Sequence, residues 1–108
     1  PVRMMRRLVT EKSAYLHYVE GDHSAALREY EHALEYTSPE ADRRGALKVA
    51  GAIALCHARL GEVARAQDEL DGVLVAAERN GFADVAETAR ANRSAVDAGG
   101  PLCPFEVV

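Results

Sequence analysis

Two segments of this 108-residue chain echo each other forty residues apart. His17-Tyr18-Val19-Glu20-Gly21-Asp22-His23-Ser24-Ala25-Ala26-Leu27 aligns with His57-Ala58-Arg59-Leu60-Gly61-Glu62-Val63-Ala64-Arg65-Ala66-Gln67. Each segment reads as a helix end, a Gly-acidic turn and a second helix that opens on small residues. Glycine enters the left-handed region at a helix C-terminus at least steric cost, so both turns have a physical cause. A chain that repeats a helix-turn-helix unit buries its apolar faces by stacking units, and so builds open surfaces more readily than closed pockets.

Ala is the commonest of the residues available to fill such a stack, within an apolar share of 48%, with no Trp and only Phe82 and Phe105 as phenylalanines. Cores of Ala with a few Leu and Val call for closely packed helices, and β-branched or aromatic runs are absent outside the last few residues, which predicts an all-α domain. The length fits one self-supporting domain without metal or disulfide staples.

A net charge of −4, with no basic run longer than Arg6-Arg7 or Arg43-Arg44, argues against a nucleic-acid partner. No apolar stretch approaches the roughly 20 residues needed to cross a bilayer, and Pro1-Val2-Arg3-Met4-Met5-Arg6-Arg7 is not followed by a signal-peptide core, so no membrane role and a cytoplasmic location are expected. Cys56 and Cys103 are too few for a disulfide framework and read as reduced thiols. Positive charge carried by Arg, with Lys only at 12 and 48, points to a high-GC bacterial coding bias.

Helix signals divide the chain into five segments. The first runs from about Arg3 to Glu20 and the second from Ala25 to Tyr36 on an apolar face of Ala26, Leu27, Tyr30, Ala33 and Leu34. Ser38-Pro39-Glu40 supplies a cap, a proline at the first helical position and an early carboxylate, the strongest start signal in the chain, which predicts a third helix over Pro39 to Leu60. Its inward stripe is Leu47, Ala50, Ile53, Ala54, His57 and Leu60, and Gly45 and Gly51 mark places where a neighbour comes close. A fourth helix spans Glu62 to Arg79, with Val63, Ala66, Leu70, Val73, Leu74 and Ala77 inward. The fifth spans Phe82 to Ala98, with Phe82, Val85, Ala86, Ala89 and Val96 inward. Gly99-Gly100 ends it, and the prolines at 101 and 104 keep the start of the apolar tail, residues 99–108, out of helix.

With these elements in place the chain resembles the tetratricopeptide repeat family. The small residues that family sets at its helix contacts are Ala14 and Ala26 in the first unit and Ala54 and Ala66 in the second. The turns are Gly21-Asp22 and Gly61-Glu62, followed by Tyr30 with Ala33 and by Leu70 with Val73. The large residues usual on the first helix of a unit are replaced by Thr10, Ser13 and His17 and by Ala50, Ile53 and His57, and Asp42-Arg43-Arg44-Gly45-Ala46-Leu47 lengthens the repeat to forty. The resemblance implies antiparallel helical pairs in a right-handed superhelix over residues 1–98, with units at about 5–38 and 39–80, a fifth helix at 82–98, and a separate tail. It also implies a concave groove that takes a protein or peptide, lined by Glu11, Lys12, Tyr15, Tyr18, Val19, Lys48, Ala52, Leu55 and Arg59. The Asn with which family members clamp an acidic chaperone tail is replaced by Tyr15 and Leu55, so this lining suits an extended or helical peptide with apolar anchors.

Chemistry finds little purchase. His17 and His57 share one repeat position but lack further ligands at helical spacing, and read as satisfied core histidines. Glu29-x-x-His32 is half of a di-iron motif, while Glu20 and His23 flank Gly21-Asp22 and cannot share a helix face. No phosphate loop, nucleophile elbow or paired carboxylates appear, so neither an enzyme nor a metal or other cofactor is expected. The function expected is an adaptor or regulatory interaction module, with a ligand-sensing or dimerisation domain of a larger bacterial regulator as the alternative. The tail is expected to pack on its own chain, or to join two copies as a homodimer.

Overall fold

The computed structural model describes residues 2–105. It is all-α, with helices α1 (Val2–Glu20), α2 (His23–Glu35), α3 (Arg43–Arg59), α4 (Val63–Arg79) and α5 (Ala83–Ala98), and no strand among the described residues. Pro1 and residues 106–108 of the expected tail lie outside them.

The echo in the sequence is one turn built twice. Gly21 and Gly61 both have φ +91°. Gly21 N–H donates to Tyr18 O and Asp22 N–H to His17 O; forty residues on, Gly61 N–H donates to Ala58 O and Glu62 N–H to His57 O. This pair of bonds satisfies carbonyls that a helix end otherwise leaves open. The same pattern recurs at Gly81 and at Gly99. Connectors of two or three residues between α1 and α2, α3 and α4, and α4 and α5 fold each pair back on itself.

Ala14, Ala26, Ala54 and Ala66 are all fully buried, and lacking side chains beyond Cβ they let paired helices close on each other. Tyr30, Ala33, Leu70 and Val73 fill the space behind them. The second echo is polar. His17 Nδ1 lies 2.5 Å from Glu29 Oε1, without hydrogen-bond alignment, and His57 Nδ1 meets Glu69 Oε1 at 2.7 Å. Each unit thus carries one histidine on its first helix facing one glutamate on its second, and the buried His57 is satisfied there.

Two expectations about the third helix are corrected. It starts at Arg43, not Pro39, because Asp42 is the better cap: its carboxylate accepts Gly45 N–H at 2.9 Å and also binds Arg7 of α1. Ser38 instead closes an isolated turn, accepting from the N–H groups of Ala41 and Asp42. Nor does α3 have a single inward stripe. Val49 and every residue from Gly51 to His57 are buried, whereas Leu60 is exposed. A helix that is apolar all round belongs in the interior, and α3 packs against α2, α4 and α5 and beneath the tail.

Candidate peptide-binding face

Beyond Gly100 the chain runs extended across the helices, and what holds it is specific. Asn92, on α5, is completely buried. Its side-chain Nδ2 donates to Cys103 O at 2.7 Å, and its Oδ1 accepts from Cys103 N–H at 2.7 Å. One carboxamide therefore reads both polar groups of a single extended residue, a geometry independent of that residue's side chain. Leaving such a buried amide unpaired costs about 1–3 kcal/mol, so the face is built to have backbone lying on it.

Two residues further on, Phe105 is buried among Tyr18, Tyr30, Ala52 and Leu55, with Pro104 at the rim. Its other edge borders Lys48 and Val85 in an open cleft of about 270 Å³ that also takes in Asp84, Glu87 and Thr88. The ring lies on Gly51: a Cβ there would stand 2.5 Å from its Cε1 and Cζ. Gly51 is thus a seat, and the close approach expected there is by an aromatic ring. Burying a Phe is worth roughly 1.5–3 kcal/mol.

The walls are held by links between the repeated units. Arg59 Nε donates to the Tyr18 hydroxyl at 3.2 Å, and its guanidinium carbon lies 5.9 Å from the ring centre. His23 meets the Tyr18 ring edge-on at 5.3 Å. Burial raises the Tyr18 hydroxyl above its ordinary pKa, as it does that of Tyr30, so both stay neutral. Arg7 reaches Glu11 at 3.0 Å and also Asp42. Burial raises the Glu11 carboxyl above the usual range against the pull of Arg7, whereas the Gly45 N–H and Arg7 hold Asp42 below it.

Of the residues assigned to a groove from the sequence, Tyr18, Ala52 and Leu55 converge around Phe105, with Lys48 on its far side and Arg59 on the Tyr18 ring. Glu11 is buried in its ion pair and Tyr15 is half-buried. Lys12 and Val19 are exposed and do not join this face; each is one residue, about 100° of helix rotation, beyond the inward-facing Glu11 and Tyr18. Asn92 was absent from that assignment. The signal for it is its place in the inward series Val85, Ala89, Asn92, Val96, where an amide interrupts an apolar stripe.

Burial pushes the Cys56 thiol up to about 12, with Glu31 adding to the effect, so it packs as an inert apolar group. Among the described residues no three His, Cys, Asp or Glu converge as metal ligands. No helix there is long and apolar enough to cross a membrane. Comparison with protein-family models, with curated proteins and with solved structures finds no match to this chain.

Proposed function

We propose that this chain is a protein-interaction module, an adaptor or regulatory scaffold, that holds an extended peptide on the face between α1, α3 and α5. The observation that supports this most directly is the two-point bond from Asn92 to the backbone of Cys103, set beside an aromatic seat. Backbone bonds supply affinity for any extended segment, and the seat supplies preference for an aromatic residue two positions later. The small residues buried at each helix contact and the repeated turn favour a tetratricopeptide-like reading of the scaffold. A cytoplasmic setting suits its two unpaired thiols.

In this arrangement the tail occupies the site from within its own chain. A tether of this length gives an effective concentration in the millimolar range, so an outside peptide binds well only when the tail's anchor is weakened. The test uses a labelled peptide of residues 100–108 and the full chain carrying Phe105→Ala. Saturable binding is expected, at least about tenfold weaker on the wild-type chain and lost when Asn92→Ala is added, with helix content checked by circular dichroism. The proposal fails if the Phe105→Ala chain does not bind the peptide, or if Asn92→Ala leaves its affinity unchanged.

A further inference from the structure

The side of α1 that faces away from the other helices carries a second apolar series. Val2, Met5, Val9, Leu16 and Val19 are between 55% and 68% exposed, and with the exposed Lys12 they follow the spacing 3-4-3-4-3. That is the a/d seam of a helix pair, lying opposite the buried Glu11, Ala14 and Tyr18. An ordinary surface helix has one apolar stripe; α1 has two.

We propose that this stripe pairs with the same stripe of a second copy, in antiparallel orientation about a two-fold axis. The spacing reads identically from either end, so antiparallel pairing sets Val2 against Val19, Met5 against Leu16 and Val9 against Lys12 of the second copy, with no position left over. Parallel pairing would stack Lys12 on Lys12, a like-charge contact at the centre of the seam. On one flank, Arg6 lies toward the N-terminal end and Glu20 at the C-terminal end, so the antiparallel arrangement brings Arg6 of each copy toward Glu20 of the other. Near its start α1 also borders an open apolar groove of about 460 Å³ closed by Tyr36, and Leu16 and Val19 of the second copy fall at that level. The pair would remove on the order of 1,200 Å² from water, the lower edge of what stable complexes bury. An interface of this size gives a concentration-dependent dimer rather than an obligate one.

Sedimentation equilibrium of the full chain over the micromolar range is expected to show reversible dimerisation. Leu16→Lys, at an exposed position, places a cation against Met5 and beside Arg6 of the other copy in both halves of the seam. At about tenfold for each copy it raises the dissociation constant roughly 100-fold, while Lys12→Leu lowers it. Orientation is read by disulfide trapping in a Cys103→Ser background. Chains with Val2→Cys should cross-link to chains with Val19→Cys and not to each other, because the two Val2 positions of an antiparallel pair stand about 25 Å apart. A monomer throughout the range, a dimer unmoved by Leu16→Lys, a dimer lost instead with Phe105→Ala, or Val2→Cys chains that link among themselves would each overturn the proposal.

Discussion

At Gly51 a missing methyl group and an aromatic ring share one volume. Gly51→Ala puts a Cβ 2.5 Å from two Phe105 carbons inside a packed interior, where overfilling typically costs about 1–3 kcal/mol. Most of that cost should vanish when Phe105→Ala is already present, because the ring that clashes is gone. Chemical denaturation of the wild type, both single variants and the double variant measures this, and strict additivity would show that ring and glycine do not meet in solution. Glycine at this position was legible as a place of close approach. Its partner was not, because Phe105 lies more than fifty residues away across a tail with no periodicity to follow. Asn92 was missed for a related reason: an amide on an apolar stripe has no meaning until the backbone it binds is in place.

Among the elements, the four helix ends at glycine were legible because a left-handed turn is a local event with a local chemical cause. The start of α3 was not. Ser38-Pro39 carries every local mark of a helix start, yet Asp42 prevails through a tertiary contact with Arg7 that no local signal contains. Asp42→Ala should therefore cost about 1 kcal/mol at neutral pH. Asp42→Asn retains a cap but loses the charge paired with Arg7. Because the folded-state pKa of Asp42 is depressed, the stability it supplies is present above the unfolded carboxylate value, about 4, and is lost as pH falls through the lower folded value. The gap between wild type and Asp42→Asn, followed by thermal melts from pH 7 downward, should close in that acid window. Glu11 acts in the opposite sense: its raised pKa means that its charge opposes folding until pH falls through that value. For α1 the apolar residues were visible, but a helix with two stripes does not declare which one the fold uses, and Lys12 and Val19, read as groove residues, lie on the exposed one.

For the whole molecule, the all-α class followed from composition and turn spacing, and extents of 41 × 32 × 18 Å describe a plate about two helices thick. In a plate this thin the middle helix is the one covered by neighbours on several sides, which is why the buried residues of α3 do not form a single stripe. The two cysteines report on this layering. Cys56 lies in α3 and is fully buried, whereas Cys103 is exposed in the tail. A thiol reagent applied to the native chain should modify Cys103 alone at neutral pH, and Cys56 only in denaturant, as read by mass spectrometry. Equal native labelling of both would mean that α3 is not interior.

The bond between Asn92 and Cys103 also leaves its mark on a single proton. Cys103 lies in a segment without secondary structure, yet its N–H is held by a side chain that is fully buried, so exchange of that proton with solvent has to wait until the tail lifts from α5. Protection at this one amide, in a stretch where neighbouring amides have no such partner in a helix or strand, therefore measures how often the tail stands away from the helices.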